Sequence, residues 1–326
     1  MKKKIQNSQI TEKIIINNYL KKLNFNKKGT FDFENDAAYI QTLKNKKIVI
    51  TSDSISEKID FFQYDNPKSI ANKIIAVNLS DLSAMGAYPF AYSLNLFLPV
   101  YVKRDWLKIF TNELYRLQRK YNFYLLGGDI SKSKILSISA TFFGNVKNNK
   151  VVTNSSLGLN KDIWVTGNIG DSYIGLNIIK KKINLNNSKL KKYFINKYYF
   201  PEHSLIGPKI SRLASSMKDI SDGLIADLKQ MLIKNGAIID LSQIPVSKNL
   251  DIIIKNNKVK FKNILNCGDD YELIIFTNRE FRKKILSLAK KNKTKITLIG
   301  KTIKKTGLFF DSNHLCNIPR EFDHFS

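Results

Sequence analysis

Residues 162–179 read DIWVTGNIGDSYIGLNII: an apolar run of strand character, a glycine-bearing turn, then apolar residues at helical spacing. Gly167, Gly170 and Gly175 imitate a phosphate loop, but no Gly-Lys-Ser/Thr follows. The stretch is therefore not a Walker site, and its glycines read as a structural turn from strand to helix. Outward from it the same alternation continues in both directions. Upstream, KIVITSD (47–53) predicts a short buried strand, SIANKIIAVNLSDLSAMGA (69–87) a helix, and FAYSLNLFLP (90–99) a strand closed by Pro99. RDWLKIFTNELYRLQRKY (104–121) predicts an amphipathic helix with Trp106, Ile109, Phe110 and Leu114 on one stripe. FYLLGGD (123–129) reads as an apolar run stopping at Gly-Gly-Asp, and ILSISATFFGNV (135–146) alternates like a strand. Downstream, GLIADLKQMLIKNG (223–236) predicts a helix ending at Gly236, and AIIDLSQIP, DDYELIIF and ITLIGKTI are strand candidates. The class is α/β and α+β in two domains, residues 1–150 and 151–326, joined through the polar stretch at 148–162.

Composition narrows the function classes. The 326 residues suffice for two cores, and 43% hydrophobic with 11% aromatic content excludes a disordered chain. No apolar run is long enough to span a bilayer, and the basic start lacks the apolar core of a secretory signal. Only Cys267 and Cys316 occur, far apart, so no disulfide framework or zinc ribbon is expected and a reducing cytoplasm is the default. Fifty-four Lys and Arg against 27 Asp and Glu give a net charge of +27. The lysines are spread along the whole length and no nucleic-acid-binding module is present, so the charge reads as solvated surface rather than a nucleic-acid face.

Against that basic background, the placement of acidic residues carries the chemistry. Asp36, Asp53, Asp81, Asp129, Asp219, Asp222, Asp269 and Asp270 each lie near Gly, Ser, Thr or Asn at the edge of an apolar segment. There a loop can aim a side chain into a cleft. Carboxylates brought into one cleft repel unless cations lie between them. Oxygen ligands suit Mg²⁺, which takes few carboxylates and shares its other positions with substrate phosphates. The three histidines are scattered, so a histidine-rich metal site is not expected. Taken singly, each Asp also has a plain reading as an N-cap or turn residue.

Read in order, ENDAAY (34–39), TSDSISEKIDFF (51–62), AVNLSDLSAMGA (76–87), GGDISKS (127–133), VTGNIGDSYIGL (165–176), DISDGLIADL (219–228), CGDDYELIIF (267–276) and a terminal DHF resemble the thiamine-monophosphate kinase family. That family belongs to the superfamily of aminoimidazole ribonucleotide synthetase. The resemblance implies an N-terminal α/β domain that binds ATP and Mg²⁺ and pairs with a second subunit, and a C-terminal α+β domain closing the cleft. It implies a kinase using ATP and several Mg²⁺ ions to convert thiamine monophosphate to thiamine diphosphate. By the same resemblance Asp36, Thr51, Ser52, Asp53, Asp81, Asp129, Asp219 and Asp222 match metal ligands, and Gly128, Asp129 and Ser221 match nucleotide contacts. Asp60, Asp269 and Phe322 take acceptor-side positions.

The departures from the family pattern fall mainly on the substrate and nucleotide side. Asn35 replaces the first Asp of a Gly-Asp-Asp, and Asp60 replaces a histidine. Phe200-Pro201-Glu202-His203-Ser204 lacks the arginines of an Arg-Pro-x-x-Arg segment, and a nucleotide-side arginine near Asn154 is missing. Two other readings stay open on the sequence: a sister ATP-dependent enzyme of the superfamily, or a non-catalytic basic binding protein on the same scaffold.

Overall fold

The structure, a computed structural model, describes residues 11–33, 40, 47–147, 150–154, 158–232, 235–256 and 258–311. Asp36 and Phe322, with the terminal DHF and Cys316, lie outside the described residues. In chain order the elements are α1 (Glu12–Ile15), β1 (Ile48–Ser56), α2 (Pro67–Ala84), β2 (Ala87–Leu98), α3 (Arg104–Tyr121), β3 (Tyr124–Lys132) and β4 (Ser137–Val146). There follow β5 (Lys161–Thr166), α4 (Asp171–Ile179), α5 (Ser188–Tyr199), α6 (Gly207–Ile210), β6 (Ala214–Asp219), α7 (Leu224–Met231) and β7 (Gly236–Ile239). Then come α8 (Lys248–Lys255), α9 (Phe261–Ile264), β8 (Leu273–Asn278), α10 (Arg282–Lys291), β9 (Ile296–Ile303) and β10 (Gly307–Phe310).

The chain divides into two compact units. One holds Met1–Asn45, Ser52–Ile75 and Pro89–Phe143; the other holds Lys46–Thr51, Ala76–Tyr88 and Gly144–Ser326. A four-stranded sheet is ordered β1-β4-β2-β3, with β2 and β3 parallel. In the first unit Tyr92 of β2 stacks on Phe142 of β4 at 4.9 Å and meets Phe123 edge-on at 5.4 Å. These rings bury large apolar area in a fixed geometry, which locks the sheet's inner face.

In the second unit six strands are ordered β10-β7-β9-β5-β8-β6, with β10 and β7 parallel and the other described pairs antiparallel. Period-two alternation explains how this sheet is covered on both sides. Ile163 and Val165 of β5 join Ile274 and Phe276 of β8 in one apolar cluster, with Phe194 and Leu228 from helices. Trp164, Leu273 and Ile275 point the other way, into a second cluster with Ile210 and Ile285. Residues 162–179 form the predicted strand, turn and helix.

Three details differ from the sequence reading. In α3 the buried stripe is Leu107, Phe110, Leu114 and Leu117, whereas Ile109 is 37% exposed. Thr111 and Gln118 share that buried face because their side chains donate to the carbonyls of Leu107 (2.8 Å) and Leu23 (2.7 Å), a pairing hydrophobicity cannot show. The helix after Gly223 stops at Met231, and Gly236 opens β7 instead. A Cβ on Gly236 would lie 1.9 Å from the Lys305 carbonyl oxygen, so that glycine serves close strand approach, not a helix end. Finally, β1 and β3 run on past their aspartates to Ser56 and Lys132. Asp53 and Asp129 thus sit within strands, and Asp81 within helix α2; of the group, Asp219 ends a strand.

Candidate active site

The second unit brings together three of the expected residues, Thr51, Asp81 and Asp219. Thr51, at the point where β1 enters the first unit, donates its hydroxyl to Oδ2 of Asp81 at 2.5 Å. One residue earlier on α2, the buried Ser80 donates to Oδ2 of Asp219 at 2.9 Å. Helix α2 therefore presents a serine and an aspartate in succession to the end of β6. Burial foremost, then the negative charge of Asp81, raise the Asp219 carboxyl to about 7, while Lys218 and Ser80 act in the opposite sense. Two carboxylates held close, each steadied by a hydroxyl, form an oxygen-only donor set that favours a hard cation between them.

Among the described residues, no group of three or more His, Cys, Asp or Glu side chains comes together as a metal cage. A carboxylate pair still fits Mg²⁺, which keeps several waters and commonly takes one or two carboxylates.

After Asp219 the chain turns through Ser221, Asp222 and Gly223 into α7. Asp222 does not cap that helix: the N-cap is Gly223, without a side-chain cap bond. Instead Asp227, from the first turn of α7, reaches back. Its Oδ2 accepts from the amides of Ser221 (3.1 Å), Asp222 (3.1 Å) and Gly223 (3.2 Å). Its Oδ1 pairs with Lys218 Nζ at 3.0 Å, and its side chain is 0% exposed. Successive amides at a helix start ordinarily make a phosphate cradle. Here the protein's own carboxylate fills it, so the turn offers side chains outward and keeps these amides for itself. Burial alone would lower the Lys218 ammonium, yet Asp227 foremost, then Asp219 and Asp222, hold its pKa above the usual value. Gln230 donates to Asp222 Oδ2 at 3.3 Å.

The segment 267–272 lies beside this turn. The amide of Asp269 donates to the Ser221 carbonyl at 3.2 Å, and that of Tyr271 to the Ile220 carbonyl at 2.9 Å. A Cβ on Gly268 would come within 2.2 Å of the Ser221 carbonyl oxygen, so glycine permits the approach. Asp269 accepts from the Tyr271 hydroxyl at 2.6 Å. Both oxygens of Asp270 accept from the Gly170 amide, at 2.9 and 3.0 Å. That gives Asp270 a structural duty at the start of α4. Glu272 receives the Thr166 hydroxyl and packs against Gly167, where a Cβ would overlap it. Burial raises the Glu272 carboxyl to about 7.

In the first unit, Ser52 is exposed and hydrogen bonds with Thr141 at 2.9 Å, while Asp53 lies next to it on β1. Gly128 and Asp129 are exposed on β3, opposite Leu94 and Asn95 of β2. A Cβ on Gly128 would meet the Leu94 carbonyl oxygen at 1.7 Å, so the strand contact itself requires glycine there. Asp129 accepts from Ser131 at 2.8 Å. Asp60 folds back onto its own turn, accepting from the Ser56 amide at 2.7 Å.

Sequence reasoning missed Asp227, Lys218 and Glu272. The available signal for Asp227 was a lone charge among Leu224, Ile225, Ala226 and Leu228, all buried, in the first turn of a helix.

Two mixed α/β units and an aspartate-bearing, hydroxyl-steadied site define a class, and comparison with known proteins names it. The AIR synthase related protein family models match at residues 34–146 for the N-terminal domain and 162–312 for the C-terminal domain. Within that class the chain belongs to the thiamine-monophosphate kinase family, and it is a kinase. It is 36% identical over 300 residues to the thiamine-monophosphate kinase of Buchnera aphidicola subsp. Schizaphis graminum, covering 89% of this chain and 91% of that one. The crystal structure of thiamine-monophosphate kinase from Stenotrophomonas maltophilia K279a aligns with a TM-score of 0.79 at 29% identity, over 85% of this chain and 89% of that one. AaThiL complexed with AMPPCP and TMP aligns with a TM-score of 0.77 at 25% identity, over 89% and 91%. Among the described residues no helix is long and apolar enough to cross a membrane.

Proposed function

We propose that this chain transfers the γ-phosphoryl of ATP directly to the phosphate of thiamine monophosphate in a Mg²⁺-dependent reaction, releasing ADP and thiamine diphosphate. The observation that carries the reading is the Asp81–Asp219 pair, held by the hydroxyls of Thr51 and Ser80. Mg²⁺ bound there would neutralise phosphate charge during transfer. Thr51 and Ser80 fix the rotamers of the two carboxylates, so the acidic edge is set before any ligand arrives. The acceptor phosphate has a second pKa of about 6 and is largely ionised at neutral pH. No strong general base is then required, which suits a site built from aspartates and hydroxyls.

In this reading Asp36, Thr51, Ser52, Asp53, Asp81, Asp129, Asp219 and Asp222 are the metal-holding residues. Gly128, Asp129 and Ser221 meet the nucleotide, Ser221 through its hydroxyl because its amide is taken by Asp227. Asp60, Asp269 and Phe322 lie on the acceptor side. Residues 1–150 form the ATP- and Mg²⁺-binding domain that pairs with a second copy, and residues 151–326 the domain that closes the cleft. The homodimer reading is checked by sedimentation at micromolar concentration, where a monomer would refute it. The reaction is tested by incubating purified protein with ATP, Mg²⁺ and thiamine monophosphate and quantifying thiamine diphosphate.

A further inference from the structure

We infer that Asp227, locked by Lys218, is the positioning residue of the acidic turn 219–223, holding its backbone so that Asp219 and Asp222 are presented to the metal; the inference rests on the metal-site reading above. One oxygen of Asp227 collects three consecutive amides, at 3.1, 3.1 and 3.2 Å. Three donors on one carboxylate oxygen fix the backbone of the whole turn, because each peptide plane is held by its own bond. The other oxygen is closed by Lys218 Nζ at 3.0 Å, so the carboxylate cannot rotate away. The Lys218 side chain is 17% exposed and sits one residue before Asp219, with its charge also attracting Asp219 and Asp222. A buried carboxylate with these partners is not needed to start α7: a first-turn residue helping a helix start satisfies one amide or two. Here two of the three amides precede the N-cap Gly223 and belong to the segment that carries Ser221 and Asp222. Gly223, with φ at +120°, lets the chain enter the helix while those amides converge.

The neighbouring segment supports the same turn from its other side, through the bond from the Asp269 amide to the Ser221 carbonyl. The N–H side of the turn thus belongs to Asp227 and the carbonyl of Ser221 to Asp269. What remains outward is the set of side chains.

Asp227→Ala removes both ends of the device; Asp227→Asn keeps one acceptor for the amides but loses the pairing with Lys218. The test measures Mn²⁺ binding to the full-length protein by the free-ion paramagnetic signal, with no turnover required, together with hydrogen exchange of the 221–223 amides. Groups that orient metal ligands typically matter about 10–100-fold in affinity. In Asp227→Ala, Mn²⁺ affinity should fall by about 10-fold and the three amides should exchange faster than in the parent. Asp227→Asn should fall by a smaller factor, and it decides the matter if Asp227→Ala does not fold. A variant that melts early but binds Mn²⁺ like the parent overturns the positioning role and leaves the metal reading standing. A parent protein that binds no Mn²⁺ sinks the metal reading and the inference with it.

Discussion

Ser80 donates its hydroxyl to Asp219 at 2.9 Å across 139 residues of sequence, which brings Asp81, the next residue, into electrostatic contact with Asp219. The like charge that results stabilises nothing in the absence of a cation. Its presence fits the Mg²⁺-dependent transfer proposed above, and a purely structural role would avoid it.

Asp81→Asn tests that arrangement. Asn preserves an acceptor for the Thr51 hydroxyl while removing the charge that raises Asp219. The melting temperature should be unchanged or higher, because repulsion within the pair is relieved. Turnover should fall by about 10²–10³, the usual loss for one preorganised electrostatic contact. Melting and kcat on the same preparation check it; normal kcat would remove Asp81 from the site.

Glu272 sets a pH-dependent term. Its folded carboxyl titrates near 7, above the ordinary value of 4.5, because of burial against Gly167. The folded state therefore holds a proton that the unfolded chain has released. This contribution is fully present below about 4.5 and is lost as pH rises through about 7. Glu272→Gln should lose less melting temperature between pH 5 and pH 8 than the parent. Equal slopes would contradict the assignment.

Gly175→Ala places a better helix former inside α4, which alone would add about 1 kcal/mol. Its Cβ would come within 2.1 Å of the Phe194 carbonyl oxygen and 2.9 Å of Tyr198 Cβ, both on α5. Overpacking of this kind typically costs about 1–3 kcal/mol. Denaturant unfolding should show net destabilisation, and a gain in stability would show that α5 can move away.

Phe110→Ala and Ile109→Ala are adjacent on α3 but face different ways. Phe110 is fully buried and stacks on Trp106 at 4.8 Å, so its loss should cost about 3–5 kcal/mol. Ile109 is 37% exposed and should cost far less. Similar losses in urea unfolding would contradict the observed face.

Much of this was legible in the sequence. The alternation of period-two and helical patterns showed the mixed α/β character of both units, and residues 162–179 form the strand, turn and helix they predict. The carboxylates were legible as a set, because acidic residues beside Gly and Ser stand out in a chain of net charge +27. Their settings were not. Asp53 and Asp129 look like strand ends, because polar residues follow them, yet the ladder continues through those residues. Asp227 reads as an unremarked helix charge, because its role depends on amides four to six residues back and on Lys218 across the turn. Pairings such as Ser80 with Asp219 depend on how α2 meets β6, and no local pattern encodes that.

The most direct measurement is product formation by the purified protein with ATP and thiamine monophosphate, with Mg²⁺ present or chelated. ADP and thiamine diphosphate should form in equal amounts, abolished by chelation, with free thiamine a poor acceptor because its neutral hydroxyl needs a base the site does not supply. No thiamine diphosphate above background, or efficient phosphorylation of free thiamine, would contradict it.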